Sequence, residues 1–162
     1  MDEKSTFLSS WEREHAVTLN VLRHFPPDKQ ELKPAEKCKT AKELAFVFVA
    51  EHEFIGKGAL AGAVNFAQKL QAPATIGDVI TQIEAIKAPF VAAINAMPDS
   101  DWNGTMPFMT GPGQVQNLRR ADVLWMMLMD MIHHRGQFSI YNRIAGGKVP
   151  SIYGPSADEP WM

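Results

Sequence analysis

The chain has 162 residues, of which 46% are hydrophobic and 21% are charged, a composition typical of one globular domain that excludes a disordered or multidomain chain. Its 16 basic and 18 acidic residues give a formal net charge of -2, and no run of basic residues suggests contact with nucleic acid. The single cysteine, Cys38, cannot form an internal disulfide, and the N-terminus lacks an apolar secretion signal. We therefore expect a cytoplasmic protein that neither spans a membrane nor binds nucleic acid.

The first predicted helix covers residues 5–25. Trp11, Thr18 and Leu22 recur at the spacing of one face of an amphipathic helix. Pro26 and Pro27 follow directly and end the helix, because proline cannot donate the helical hydrogen bond. A polar connection over residues 28–39 then leads to the next helix.

A second helix is predicted over residues 41–70. Thr40 and Glu43 form a capping-box pattern, in which each side chain binds a free amide of the first turn. Leu44, Phe48 and Ile55 mark its apolar stripe. Three glycines in its middle weaken the helix or admit a neighbouring backbone closely.

A third helix is predicted over residues 76–97. Thr75 and Asp78 give a second helix-start pattern, and Pro89 should kink the helix. The segment 98–113 is rich in glycine and proline, which favours an ordered loop that crosses the end of the domain.

A fourth helix is predicted over residues 114–145, and Gly146 and Gly147 end it. No segment alternates apolar and polar residues between hairpin turns, so we expect no sheet. Four amphipathic helices with two long connections predict an all-α fold, a four-helix bundle whose site lies between facing helices.

One carboxylate interrupts the most apolar part of the fourth helix. Asp130 is the exception in the otherwise apolar run 123–132, where an unpaired charge would be costly. His134 lies four residues further on, and this spacing sets both side chains on one helix face, where they could share one ion. The alternative is a simple hydrogen-bonded or ionic pair, and a metal site needs a further ligand from another helix.

The second helix offers two candidates for that ligand. His52 lies between Phe48 and Ile55 on the stripe that faces the core, and Glu51 is its neighbour and could replace it. Either residue could instead form a hydrogen bond across the bundle. The remaining histidines are less suitable, because they fit a satisfied core position, a helix end or a different helix face: His15, His24 and His133.

Three segments resemble a known family. Residues 131–143 (MIHHRGQFSIYNR) and 146–156 (GGKVPSIYGPS) look like the H-R-G-Q and V-P-x-x-Y-G-P-S signature of the DinB family, and residues 40–45 (TAKELA) are similar to the family's T-A-x-E-L-A segment. The resemblance implies a single domain over residues 1–162, a four-helix bundle of DinB/YfiT type that is often dimeric. It also implies a divalent metal held by three histidines, one on helix two and an H-x-x-x-H pair on helix four.

Two positions depart from this pattern. Asp130 stands at the first histidine of the pair, and Val47 stands where the resemblance places the histidine of helix two. Carboxylate oxygen can replace imidazole as a ligand of Zn²⁺ or Ni²⁺, whereas valine cannot. The predicted metal ligands are therefore His52, Asp130 and His134.

The resemblance also suggests two functions. One is a metal-dependent transferase or isomerase that uses a low-molecular-weight thiol, and the other is a non-catalytic dimeric bundle that has lost the metal, as Val47 suggests. In both cases we expect a homodimer. Around the site, Gln137 is predicted to orient His134, and Tyr153 to pack across the end of the bundle. Arg135 could pair with a carboxylate beside the site, but a bridge to the loop between helices three and four is the favoured interpretation.

Overall fold

A computed structural model describes residues 2–161, which are mainly helical. The α-helices are α1 (Glu3–Arg23), α2 (Ala41–Glu51), α3 (Lys57–Ala61), α4 (Ile76–Ala96), α5 (Asp99–Trp102) and α6 (Arg120–Ile144). The two strands are β1 (Thr105–Gly111) and β2 (Gln114–Arg119). A 3₁₀ turn (Pro27–Lys29) follows α1, and a π-helical segment (His52–Gly56) joins α2 to α3. None of the helices within residues 2–161 is both long enough and apolar enough to cross a membrane.

Four of these helices surround one hydrophobic core. Helix α1 packs against α4 and α6, and α2 packs against the same two helices from the other side. The largest fully buried apolar side chains come from all four helices, and burying them drives the association: Phe7, Trp11, Phe48, Ile83, Leu124 and Phe138.

Helices α2 and α4 begin where the sequence predicts. Thr40 and Glu43 form the expected reciprocal capping box, and Thr75 and Asp78 form a second one. A cap of this kind stabilises a helix by about 1 kcal/mol. The starts of both helices are therefore fixed by local chemistry that can be read from the sequence.

The predicted end of the second helix at residue 70 is wrong, because the helical chain ends at Ala61. Gly62 adopts φ +83°, a left-handed conformation that glycine tolerates best, and the amide of Ala63 donates to the carbonyl of Gly58 at 2.9 Å. A Cβ atom at position 62 would also lie 2.5 Å from an Arg120 guanidinium nitrogen. Glycine therefore stops the helix here, and residues 63–75 run outside any helix or strand.

The prediction of a pure all-α fold is also wrong, since β1 and β2 form an antiparallel hairpin. Its turn contains Gly113 at φ +70°, and the fourth long helix consequently begins at Arg120 instead of residue 114. Within residues 105–119, Met106 is the fully buried side chain. A hairpin that buries so little does not need alternating apolar residues, so its sequence carries no clear strand signal.

Candidate metal centre

Three ligand-type side chains meet where the end of α2 faces the middle of α6. Glu51, Asp130 and His134 offer ligand atoms that all lie within 4.8 Å of one another. The Nε2 atom of His134 is 3.4 Å from Glu51 Oε1 and 3.6 Å from Asp130 Oδ2. Asp130 and His134 thus share a helix face as predicted, and the residue that α2 adds is Glu51.

Glu51 is a buried carboxyl group with a raised pKa. Its side chain is 6% exposed, and neither carboxyl oxygen accepts a hydrogen bond from a donor within residues 2–161. Burial, together with the nearby charge of Asp130, raises the pKa of Glu51 to about 9. Because a buried carboxylate is costly without a compensating partner, this group is suited to neutralisation by a proton or a cation.

Asp130 connects the cluster to solvent. Its side chain is 51% exposed, although the residues around it in α6 are apolar. The helix therefore turns this position outward, and Asp130 is not enclosed as the apolar run around it in the sequence suggests. An exposed carboxylate beside a buried one leaves a route by which an ion could enter.

Gln137 fixes the orientation of the His134 ring. Its Oε1 atom, which can only accept, lies 3.1 Å from His134 Nδ1, so Nδ1 carries the ring hydrogen. The Gln137 amide nitrogen in turn lies 2.9 Å from His133 Nε2. His134 Nε2 is the ring nitrogen that faces the two carboxyl groups. This is the geometry predicted for Gln137, and it resembles the outer partners that orient metal-bound histidines.

The structure does not bring His52 into the cluster. Its Nδ1 lies 2.9 Å from the carbonyl of Phe48, and its Nε2 accepts from Trp11 Nε1 at 3.0 Å. Burial lowers the pKa of His52 to about 4, so the ring is neutral. Consecutive residues on a helix point about 100° apart, which is why Glu51 reaches α6 while His52 reaches α1.

Val47 lies one turn before Glu51 on α2, at the position to which the resemblance assigned a histidine. The two residues are four apart, which places them on the same side of the helix about 6 Å apart along its axis. The acidic side chain that α2 adds to the cluster, Glu51, therefore lies one turn after the position where the resemblance placed a histidine. The sequence signal that could have identified it is the glutamate that ends the apolar segment 44–50.

Two cavities flank the cluster. One, of about 440 Å³, adjoins Asp130 and is lined mainly by apolar side chains, among them Phe108 and Met129. The other, of about 460 Å³, adjoins His134 and is lined in part by Lys37 and Lys39. Both volumes are within the range that small-molecule sites occupy, so a ligand could reach the cluster from either side.

Arg135 follows His134 in the chain but points to a different part of the molecule. Its Nη1 atom donates to Glu14 Oε2 of α1 at 2.6 Å, and its Nη2 atom donates to the Tyr153 hydroxyl at 2.6 Å. The predicted bridge from Arg135 to the loop between helices three and four is therefore wrong. Burial opposes ionisation of Glu14, but hydrogen bonds from Tyr153 and Arg135 outweigh it and lower the pKa of this carboxyl group.

Comparison with known proteins places the chain among related sequences and folds. A model of the DinB family matches residues 1–161. The uncharacterised protein YrdA of Bacillus subtilis (strain 168) is 27% identical over 158 residues, which cover 94% of this chain and 89% of YrdA.

Two crystal structures of similar proteins have the same kind of fold. The DinB-like protein YjoA of Bacillus subtilis gives a TM-score of 0.70 at 20% identity, with 88% of this chain and 94% of that chain covered. A DinB-like protein of Bacillus cereus ATCC 10987 gives a TM-score of 0.75 at 22% identity, with coverage of 91% and 95%. At these identities the likeness concerns the fold.

Proposed function

Because the chain belongs to the DinB family, we propose that it binds one divalent metal ion through Glu51, Asp130 and His134 Nε2. The observation that carries this proposal is the buried Glu51 carboxyl group, which accepts no hydrogen bond within residues 2–161 and lies beside an oriented imidazole. A cation between these groups would bind both the Glu51 carboxylate and His134 Nε2.

The donor set suits the metals expected from the sequence. Two carboxylates and one imidazole can bind Zn²⁺ or Ni²⁺ at about 2.0 to 2.2 Å. Three protein ligands leave at least one position for water or substrate, which is the arrangement of catalytic zinc sites. The half-exposed Asp130 lies on the side where such a position would meet solvent.

A small-molecule thiol is the proposed substrate, and a transferase or isomerase reaction is the proposed activity. When bound, the metal would lower the pKa of a coordinated thiol and stabilise the thiolate for attack on an electrophile. Gln137 would hold His134 in the ligating orientation through Nδ1. Lys37 and Lys39 line the cavity next to His134, and their positive charges would favour an anionic substrate.

Metal titration tests the site. Calorimetry of protein stripped with a chelator should give one Zn²⁺ or Ni²⁺ per chain for the wild type. The variants Glu51→Gln and His134→Ala should each bind at least tenfold more weakly, because each loses a ligand. His24→Ala, which changes a half-buried histidine directly after α1 and outside the cluster, is the matched control and should bind as the wild type does. Wild-type protein that takes up no metal would contradict the proposal.

Sulfur coordination tests the substrate class separately. Protein loaded with Co²⁺ should develop a near-ultraviolet charge-transfer absorption when glutathione is added, because that band reports a thiolate bound to the metal. Lys37→Glu and Lys39→Glu should weaken this response without changing Co²⁺ uptake. A metal-loaded protein that gives no such band with glutathione or cysteine would retain the metal site and exclude the proposed thiol chemistry.

The alternative function is a dimeric bundle that carries no metal. Its support is an exposed apolar stripe on α6, formed by side chains that lie within about 60° of one another around the helix. The stripe comprises Met126, Met129, Ile140 and Ile144. A second copy of the chain could cover it, and we propose this homodimer whether or not a metal is bound.

Light scattering tests the dimer. The wild type should have about twice the mass of one chain, and Ile140→Glu should shift it towards the monomer because a charge would be buried at the interface. Ala92→Glu, on an exposed part of α4, is the control. A wild type that stays at the mass of one chain across a wide concentration range would exclude the dimer.

A further inference from the structure

A separate cavity of about 620 Å³ lies between α4 and the π-helical segment that follows α2. Glu51, Asp130 and His134 do not line it. Its volume is within the range of small-molecule sites, and most of its lining is apolar. The cavity therefore differs from the proposed metal centre in both place and chemistry.

Aromatic rings form much of the cavity wall. Phe46 and Phe90 line it together with the ring of His52. Both ring nitrogens of His52 are already engaged, one with the carbonyl of Phe48 and the other with Trp11. His52 thus presents ring carbon atoms to the cavity instead of a free donor or acceptor. Walls of this kind favour a flat aromatic ligand.

Pro89 leaves one backbone carbonyl of α4, on the opposite wall, without its helical donor. It lies inside α4 and has no amide hydrogen to donate to the carbonyl of Ala85, four residues earlier. Both Ala85 and Pro89 line the cavity. The carbonyl of Ala85 therefore lacks its usual helical partner where a ligand could donate to it. Ala85 is exposed, so a donor on the ligand would replace water at this carbonyl, an exchange that strengthens binding by about tenfold.

The rim of the cavity carries balanced charge. Lys57 Nζ and Glu53 Oε2 form an ion pair at 2.7 Å, one turn apart along the chain. Both residues line the cavity. Since the two charges offset each other, the rim favours neither an anionic nor a cationic ligand.

We propose that this cavity binds a small, neutral, flat aromatic molecule that donates one N–H or O–H hydrogen bond to the backbone carbonyl of Ala85. Binding is independent of the metal centre, because none of the three proposed ligands belongs to the cavity. The site would serve to recognise such a molecule through ring contacts and one donor.

Indole and benzofuran test the proposed hydrogen bond. The two molecules have nearly the same shape, but only indole has an N–H group. Nuclear magnetic resonance titration of the wild type should show saturable indole binding at residues of the cavity, and benzofuran should bind about tenfold more weakly. Addition of a chelator should change neither result. No saturable indole binding, equal affinities, or loss of indole binding with the chelator would each overturn the proposal.

Pro89→Ala tests directly whether the carbonyl of Ala85 accepts the hydrogen bond from the ligand. The new amide would donate to the carbonyl of Ala85, so the variant should remain folded, lose the preference for indole and bind both molecules with the weaker affinity. A preference that persists in this variant would contradict the role of the carbonyl.

Filling the cavity tests its location. Ala93→Phe places a ring in the cavity and should abolish binding of both molecules, whereas Ala92→Phe changes an exposed neighbour outside the cavity and should leave binding unchanged. A helical circular-dichroism spectrum and a cooperative thermal unfolding transition would establish that Ala93→Phe and Ala92→Phe are both folded. Indole binding that survives Ala93→Phe in folded protein would place the site elsewhere and overturn the proposal.

Discussion

Two buried glutamates in this protein have opposite surroundings. Glu14 on α1 is 2% exposed and receives hydrogen bonds from the guanidinium of Arg135 and the hydroxyl of Tyr153. Glu51 on α2 is 6% exposed and accepts no hydrogen bond within residues 2–161. The pKa of Glu14 is lowered and that of Glu51 is raised to about 9. The role of a carboxyl group is therefore determined by the hydrogen-bond partners and charges around it, and burial alone does not determine it.

The comparison separates two environments of the same side chain. Glu14 joins α1 to α6 and to the C-terminal segment, and its charge is already neutralised by Arg135. Glu51 faces another carboxylate and the Nε2 atom of His134, an arrangement that a cation would stabilise. The first group has all the partners it needs within the chain, whereas the second is suited to an external ligand.

The largest expected effect comes from Arg135→Met. This change leaves the Glu14 carboxylate buried without its cation, and the free energy of unfolding should fall by about 3 to 5 kcal/mol. Urea denaturation at pH 7 measures the loss. Arg13→Ala removes an exposed partner of the same carboxylate and should cost less than about 1 kcal/mol. Equal losses for the two variants would contradict the assignment of Arg135 as the main partner.

Glu51 should make the metal-free protein less stable as the pH rises. Between pH 5 and pH 8 the unfolded chain has lost this proton, whereas the folded chain keeps it until its pKa of about 9. The folded state then binds more protons, so the free energy of unfolding should fall by up to about 1.4 kcal/mol per pH unit. Urea denaturation in a chelator should detect this slope in the wild type.

Glu51→Gln provides the matched test of that pH dependence. Glutamine has nearly the same size but does not titrate, so the variant should lose the part of the slope that belongs to Glu51. Glu53→Gln changes a nearby residue that pairs with Lys57, and this variant should keep the pH dependence that comes from Glu51. If the slope of Glu51→Gln equals that of the wild type, the carboxyl group is already ionised in the folded protein.

Gln137→Leu should weaken metal binding by about 10- to 100-fold, because the ring of His134 loses the acceptor that fixes its orientation. The free energy of unfolding in a chelator should change by less than about 0.5 kcal/mol, since Gln137 is exposed. Calorimetric titration with Zn²⁺ gives the affinity. Ser139→Ala, a neighbouring change outside the cluster, is the control. An unchanged affinity would show that the orientation of His134 does not depend on Gln137.

The sequence predicted those features that depend on local patterns. The capping residues Thr40 and Thr75 fixed the starts of α2 and α4, and the four-residue spacing brought Asp130 and His134 onto one face. Each of these features involves residues within one turn of a helix. Their geometry is set by the helix itself and needs no knowledge of the tertiary structure.

The features that the sequence did not predict depend on contacts between distant segments. Whether Glu51 or His52 reaches α6 is decided by the rotation of α2 against α1, where Trp11 binds His52. The partner of Arg135 lies 121 residues away along the chain. The hairpin of residues 105–119 buries too little apolar surface to leave an alternating pattern. In each case the deciding interaction is tertiary.

The smallest expected effect belongs to Tyr153→Phe. The Tyr153 hydroxyl donates to Glu14 Oε2 at 2.6 Å and accepts from Arg135 Nη2, so its removal should lower the free energy of unfolding by about 1 kcal/mol. The Arg135–Glu14 ion pair remains in this variant, which is why the effect is smaller than that of Arg135→Met.

A double-mutant cycle assigns that effect to Glu14. In a Glu14→Gln background the Tyr153 hydroxyl no longer faces a charged acceptor. Tyr153→Phe should therefore lower the free energy of unfolding by less there than in the wild type. The difference between the two values is the coupling free energy between Tyr153 and Glu14. Urea denaturation of the four proteins at pH 7 gives this coupling. A cost that is the same in both backgrounds would mean that Tyr153 stabilises the protein through ring packing on Arg135, whose guanidinium carbon lies 5.3 Å from the ring centre. The Glu14 group would then have Arg135 as its essential partner, and its contrast with Glu51 would depend on that one cation.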